Sequence, residues 1–168
     1  ASGVLRPGVL PGRARSPSAH KMPAFIVQGG HTLSGRIRPA GNKNAALPCI
    51  TACLLSIEPV TLSNVPRVRD VLDLLEIMES LGAAVEWTEG NTVRVDASGV
   101  TVGNVDREMA AKIRASLLVA GPLLARFGEV DLPPPGGDVI GRRRIDTHFL
   151  AFEAMGGRVR LDEGVHVK

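Results

Sequence analysis

Hydrophobic positions recur at helical spacing in two stretches of the chain. In the first stretch these positions are Val71, Leu74, Leu75, Met78 and Leu81. In the second they are Ile145, Phe149, Phe152 and Met155. Such spacing is typical of an amphipathic helix, and each stretch ends at a glycine, Gly82 or Gly156, which favours a helix end. We therefore predict helices over about 70–81 and 145–155, the first capped by Asp70.

Short segments of alternating polarity follow each predicted helix. They are residues 84–87 and 92–95 after the first helix, and residues 158–161 and 165–167 after the second. Within each pair the connection contains Glu-Gly, at Glu89-Gly90 and at Glu163-Gly164. Glycine in a short connection between alternating segments is typical of a β-hairpin, so the pattern predicts two hairpins.

The same order of elements extends to the rest of the chain. Apolar residues predict a helix over 44–55 followed by a strand at 60–62. Ile113, Leu117, Ala120 and Leu124 predict one further helix, followed by a strand at 129–132. A repeated strand-helix-hairpin unit predicts an α/β fold with helices packed inside against sheets outside.

Composition narrows the functional classes. The chain has 168 residues, of which 44% are hydrophobic and 3% aromatic, so it can bury an aliphatic core. The net charge of +3 suits an anionic small molecule. We do not expect a nucleic-acid partner, because proteins that read RNA stack bases on aromatic rings.

Cysteine content and hydropathy indicate the compartment. Cys49 and Cys53 lie four residues apart in an apolar run and are interpreted as small buried hydrophobes. Neither the spacing nor nearby histidines predict a metal site, and disulfide scaffolding is not expected, which favours a cytoplasmic location. No apolar run has the roughly 18 residues that a membrane span needs.

The first 21 residues differ in composition from the rest. They are rich in Pro, Gly, Arg and Ser, have no acidic residue and show no period. We interpret residues 1–21 as a disordered leader or a misassigned start. A nucleic-acid-binding arm is the functional alternative.

Two basic residues lie at unusual places in predicted apolar helices. Lys43 follows Gly41-Asn42 at a predicted helix start, where backbone N–H groups and a cation together favour an anion. Arg114 enters an otherwise apolar helix. The alternative for Lys43 is an exposed lysine on a loop with no ligand. The alternative for Arg114 is a side chain that extends to solvent or pairs with a carboxylate.

The stretch PPPGGDVIGRRRIDTH, residues 133–148, combines backbone freedom with charge. Gly136-Gly137 permit unusual dihedral angles and close backbone approach, and Asp138 follows them directly. The run 142–144 then supplies three arginines, whose planar groups match phosphate oxygens. The stretch indicates either a loop that closes over an anionic ligand or a solvated basic turn.

Four motifs together resemble one family. FIVQGGHTLSGRIRPAGNKNAALP, NVPRVRDV, KIRASLLVAGPLLARFG and PGGDVIGRRRIDTH are similar to the UDP-N-acetylglucosamine 1-carboxyvinyltransferase family, and the resemblance runs from about Phe25 to Lys168. The related shikimate-pathway family has Ser-Lys-Ser where this chain has Asn42-Lys43-Asn44. The resemblance implies the enolpyruvyl transferase fold, an inside-out α/β barrel, incomplete in this chain. It also implies transfer of the enolpyruvyl group of phosphoenolpyruvate to the 3′-hydroxyl of UDP-N-acetylglucosamine, the first committed step of peptidoglycan synthesis.

The resemblance also implies roles for individual residues. Lys43 and Asn44 match contacts to phosphoenolpyruvate and the sugar, and Arg114 matches an arginine at the substrates. Arg143 matches a phosphate contact. The segment that lines the uridine and diphosphate is Arg143, Arg144, Ile145, Asp146 and Thr147. Asp138 matches the loop acid that donates a proton, and no cofactor or metal is implied.

Two positions depart from the common pattern of the family. Most members have Cys where this chain has Asp138, so the epoxide fosfomycin, which alkylates that Cys, is not expected to inactivate the enzyme. Arg144 stands where Pro is common, which we expect to change nucleotide affinity.

The resemblance divides the chain at about residue 41. Residues 22–41 are expected to form strands of the family's second domain, and residues 42–168 part of the first. On this view the chain is a fragment that is inactive alone. The alternative is a short non-catalytic module that binds UDP-sugars. A basic RNA-binding module is disfavoured because rings for stacking are scarce.

Overall fold

The computed structural model describes residues 26, 28–30, 32, 34–101, 105–137 and 144–168. The chain divides into two compact units, residues 1–37 and residues 38–168. The described residues of the first unit are exposed and lie in neither a helix nor a strand. The assignment of residues 22–41 to a second domain therefore stays a prediction.

Helices and short strands alternate along the second unit. The helices are α1 (Lys43–Ala52), α2 (Arg69–Ser80), α3 (Arg107–Lys112), α4 (Ala120–Phe127) and α5 (Asp146–Ala154). The strands are β1 (Val60–Leu62), β2 (Ala84–Trp87), β3 (Val93–Asp96), β4 (Val130–Leu132), β5 (Val159–Leu161) and β6 (Val165–Val167). Two 3-10 helices, Cys53–Leu55 and Arg114–Val119, precede β1 and α4.

The six strands of the described residues form two antiparallel sheets of identical topology. The strand orders are β1-β3-β2 and β4-β6-β5. The registers also correspond, since Val60 pairs with Val95 in the first sheet and Val130 pairs with Val167 in the second. The hairpins predicted at the two Glu-Gly connections are confirmed as β2–β3 and β5–β6. The predicted repeat of strand, helix and hairpin is therefore present twice.

The core is aliphatic and lies between the helices and one face of the sheets. Val93 and Val95 of the central strand β3 are fully buried, and the alternate residue Arg94 is only partly buried. The largest fully buried side chains are Ile50, Leu54, Leu74, Ile77, Met78, Val71, Val93, Val95 and Val119. Most of these belong to helices, which agrees with the predicted arrangement of helices inside and sheets outside.

The helix predicted through Ile113 and Leu124 is confirmed except at its first residue, because a 3-10 helix over Arg114–Val119 leads directly into α4. Ile113 is extended, with φ −136° and ψ 144°, and it separates α3 from the following 3-10 helix. The Ser116 Oγ lies 3.2 and 2.9 Å from the Ala110 and Ile113 carbonyl oxygens, which share its one hydrogen. A buried hydroxyl that satisfies main-chain carbonyls in this way stabilises the break, because it replaces helical N–H donors.

The predicted start of α2 also needs correction. Val68, not Asp70, occupies the N-cap position, and Asp70 lies in the first turn. The Asp70 side chain instead pairs with Lys43. The predicted end is confirmed, since Gly82 has φ +103° directly after the C-cap residue Leu81.

Candidate active site

Lys43 is the first residue of α1, and Asn42 caps this helix. The Asn42 side chain accepts a hydrogen bond from the Asn44 N–H at 2.7 Å, and its carbonyl accepts one from the Ala46 N–H at 3.0 Å. Asparagine is a favoured residue at this position. The cap uses the Asn44 N–H, and the Lys43 ammonium adds a positive charge at this helix start.

Gly41 fixes the position of Lys43 relative to α2. A Cβ at Gly41 would lie 1.8 Å from the carbonyl oxygen of Asn64, so only glycine allows these two backbones to meet. Asn64 itself has φ +56°, which asparagine tolerates better than most residues. The contact holds the loop before α1 against the loop before α2. Across it, Lys43 Nζ lies 2.5 Å from Asp70 Oδ2.

A cleft of about 680 Å³ opens beside this ion pair. Its charged or titratable lining residues are Lys43, Arg69, Asp70, Asp73, Lys112, Arg114 and His148. Its other lining residues include Asn44, Leu47, Ile113, Leu117, Gly137 and Ile145. The lining has four permanent cations and two carboxylates, and three of the cations are paired with the carboxylates of Asp70, Asp73 and Glu76. The lining residues themselves carry a net positive charge, which favours an anionic ligand.

The two glycines before Asp138 attach their loop to the end of α3. The Gly136 N–H donates to the Ala110 carbonyl at 3.0 Å, and the Gly137 N–H donates to the Ala111 carbonyl at 3.2 Å. A Cβ at Gly136 would lie 1.7 Å from the Ala111 oxygen. Gly137 has φ +97° and packs on the Arg114 backbone. The predicted close backbone approach is therefore present, and it joins this loop to the cleft.

Arg114 connects the two described ends of the same loop. Gly137 packs against the Arg114 backbone, and the Arg114 Nη2 donates to the Arg144 carbonyl at 3.0 Å. Residues 138–143 lie outside the described residues, and the predicted site residues Asp138 and Arg143 are among them. Gly137 and Arg144, the described residues on either side of 138–143, therefore both contact Arg114, which lines the cleft.

Arg144 and Asp146, both predicted to bind the nucleotide, bind each other. Arg144 Nε lies 3.1 and 3.0 Å from the two Asp146 carboxylate oxygens, and Nη2 contacts the same group. The hydrogen bond from Arg144 lowers the pKa of Asp146, and the same bond raises the pKa of Arg144. Both groups therefore remain charged near neutral pH.

Four of the predicted site residues line the cleft: Lys43, Asn44, Arg114 and Ile145. Arg144 adjoins it, and Asp146 and Thr147 open α5 beside it. Sequence reasoning missed the roles of Arg69, Asp70, Lys112 and His148 in the lining. The motif NVPRVRDV contains Arg69 and Asp70, but the position of Asp70 suggested a helix cap rather than a cleft.

Within the described residues, no helix is both long and apolar enough to cross a membrane. The same residues contain no group of three His, Cys, Asp or Glu side chains suited to a metal ion.

Comparison with known proteins gives a consistent group of relatives. The family described as EPSP synthase (3-phosphoshikimate 1-carboxyvinyltransferase) matches residues 27–168. A UDP-N-acetylglucosamine 1-carboxyvinyltransferase from Bradyrhizobium diazoefficiens is 60% identical over 135 residues, which are 80% of this chain and 31% of the relative. One from Treponema denticola is 51% identical over 142 residues, which are 84% of this chain and 33% of the relative.

A solved structure shares the fold. The enolpyruvyl transferase NikO from Streptomyces tendae superposes with a TM-score of 0.67 at 26% identity, over 83% of this chain and 31% of that one. The fold class predicted from the sequence is therefore confirmed. The chain spans about a third of the length of the relatives it matches.

Proposed function

The chain belongs to the EPSP synthase (3-phosphoshikimate 1-carboxyvinyltransferase) family, and from this we propose that it forms one wall of an enolpyruvyl transferase site. The proposed reaction transfers the enolpyruvyl group of phosphoenolpyruvate to the 3′-hydroxyl of UDP-N-acetylglucosamine and releases phosphate. We propose this activity for a protein that has the full length of the relatives, of which this chain spans about a third. It would serve peptidoglycan synthesis in the cytoplasm.

One observation supports the proposal most directly. Lys43, Arg114 and the base of the Asp138 loop at Gly137 line a single cationic cleft, although they lie far apart in sequence. Phosphoenolpyruvate carries a phosphate and a carboxylate, and both need cations near the reacting carbon. A solvated basic turn would not require these three segments to converge.

Two features favour the sugar-nucleotide branch of the family over the shikimate branch. Asn42-Lys43-Asn44 replaces the Ser-Lys-Ser of the shikimate enzymes, and Asn42 is used as the helix cap. The relatives with 60% and 51% identity are both named UDP-N-acetylglucosamine 1-carboxyvinyltransferase.

The proposed chemistry is addition followed by elimination. The sugar 3′-hydroxyl gives its proton to a general base as its oxygen bonds to C2 of phosphoenolpyruvate, and C3 takes a proton from an acid, giving a tetrahedral ketal. Loss of phosphate from C2 and of a proton from C3 then restores the double bond. Lys43 and Arg114 would stabilise the negative charges of the phosphoenolpyruvate, and Asp138 would supply the proton to C3.

Asp138 makes a specific prediction possible. A carboxylic acid can donate a proton, but it does not react with an epoxide as a thiolate does. The wild-type protein should therefore resist fosfomycin, whereas Asp138→Cys should gain time-dependent inactivation and a mass increment on the peptide containing residue 138.

The test uses the protein encoded by the gene from which this chain derives, with whatever coding sequence flanks it. Phosphate release from phosphoenolpyruvate should depend on UDP-N-acetylglucosamine, with the enolpyruvyl product identified by mass spectrometry. Asp138→Asn should lower kcat by at least about a hundredfold and leave binding of the UDP-sugar nearly unchanged. Phosphate release that required shikimate 3-phosphate instead would refute the substrate assignment. Unchanged turnover in Asp138→Asn would remove Asp138 from proton transfer.

A further inference from the structure

The Lys43–Asp70 pair lies at the edge of the cleft, between two helices that belong to different parts of the chain. Lys43 Nζ and Asp70 Oδ2 are 2.5 Å apart and 27 residues apart in sequence. Their side chains are 49% and 40% exposed, so both groups remain accessible to a ligand. The pair is therefore not a buried structural ion pair.

The surrounding backbone prepares this contact. Gly41, two residues before Lys43, packs on the Asn64 carbonyl, and Asp70 lies in the first turn of the helix that follows. Long exposed lysine side chains normally sample many rotamers, and holding one costs conformational entropy. Here one carboxylate in hydrogen-bond contact limits that freedom.

We propose that Asp70 is a positioning residue for Lys43, an inference that rests on the proposed function. Asp70 takes one of the three N–H donors of the ammonium and orients the others towards a substrate oxyanion. Asp70 also places a negative charge beside the incoming anion. It thus weakens ground-state binding of the anion while it improves the geometry of the reacting complex.

The two effects oppose each other, which gives the proposal a distinctive signature. Asp70→Asn removes the repulsion, so inorganic phosphate should bind about two- to fivefold more tightly. The same change releases Lys43 from its orientation, so kcat should fall by about tenfold or more. The KM for phosphoenolpyruvate should fall as well. A side chain that only stabilises the fold would not lower kcat and KM together.

Matched variants separate this role from a general change of charge. Glu79→Gln removes a carboxylate from the exposed side of the same helix α2, outside the cleft, and should leave kcat, KM and phosphate affinity unchanged. Asp70→Glu keeps the charge and should recover most of the lost kcat. Lys43→Gln should abolish the gain in phosphate affinity that Asp70→Asn produces.

The experiment has two independent measurements. The first is phosphate affinity by isothermal titration calorimetry for the wild type, the single variants and the Lys43→Gln/Asp70→Asn double variant. The second is steady-state kinetics with phosphoenolpyruvate and UDP-N-acetylglucosamine. The expected result is non-additivity in the first and a joint fall of kcat and KM in the second.

Three results would overturn the role of Asp70. The first is a gain in phosphate affinity that persists when Asp70→Asn is combined with Lys43→Gln. The second is that the kinetics of Asp70→Asn match those of Glu79→Gln. The third is that neither the wild type nor Asp70→Asn binds phosphate. A wild-type protein without transferase activity would refute the proposed function instead. In that case the phosphate measurement would still decide whether Asp70 controls Lys43.

Discussion

Replacement of Gly136 by alanine tests the attachment of the Asp138 loop to the cleft. The new Cβ would lie 1.7 Å from the Ala111 oxygen and 2.3 Å from its carbonyl carbon. An ordinary C···O contact is about 3.3 Å, so the two backbones would have to separate by about 1.6 Å. The obstructing atoms belong to the main chain, so a side-chain rotation cannot relieve the clash.

The separation has a calculable cost. It breaks the hydrogen bonds from Gly136 to Ala110 and from Gly137 to Ala111, now 3.0 and 3.2 Å long. Each such bond contributes about 1 kcal/mol net, and overpacking of a close contact adds about 1–3 kcal/mol. We therefore expect Gly136→Ala to lower the free energy of unfolding by about 3–5 kcal/mol.

The assay is urea unfolding followed by the fluorescence of Trp87, the single tryptophan of the chain. Gly121→Ala is the matched control, because no atom lies within 4 Å of a Cβ at this position in α4. Alanine has the higher helix propensity, so this control should gain about 0.5–1 kcal/mol. Equal unfolding midpoints for the two variants would refute the assigned contact.

Three further predictions concern the packing and the second sheet. Arg126→Met removes hydrogen bonds of 2.8 and 3.2 Å to two main-chain carbonyls and should cost about 1–3 kcal/mol in urea unfolding. Leu74→Ala empties a fully buried position in α2 and should cost about 2–5 kcal/mol in the same assay, whereas a loss below that range would show that the core collapses around it. His166 contacts Asp131 and Asp162, and the hydrogen bond to Asp131 raises its pKa. Its stabilising contribution is complete below about pH 6.5 and declines as the pH rises through the raised pKa, so the unfolding midpoint should fall as the pH rises above about 6.5, and fall less in His166→Gln.

The sequence predicted the repeated elements well because local signals determine them. Apolar spacing located α2 and α5, and the Glu-Gly connections located both hairpins, with each end within about two residues. In these segments the helical period, the glycine at the helix end and the alternating strands all indicate the same structure.

The break at Ile113 could not be predicted in the same way. The apolar spacing places Ile113 at the start of the helix that continues to Leu124, whereas Ile113 is extended and the buried Ser116 hydroxyl contacts its carbonyl. Whether a serine faces solvent or satisfies main-chain groups depends on tertiary packing.

The candidate site was predicted in part. Lys43 was identified as a cation at a helix start and Arg114 as a charged residue in an apolar helix, and both line the cleft. Asp70 was interpreted as a helix cap, because its contact with Lys43 depends on the packing of Gly41 on Asn64. No short-range pattern indicates such a contact between segments, and the roles of all the predicted site residues remain predictions.

The strand orders have a consequence for synthesis of the chain on the ribosome. In both sheets the central strand is the last of the three to be translated, β3 after β1 and β2, and β6 after β4 and β5. Until that strand leaves the exit tunnel, both of its neighbours lack their hydrogen-bonding partner. Neither sheet can therefore be completed before its last strand is made, and a nascent chain stalled before Val165 would have all three strands of the first sheet but lack the central strand of the second.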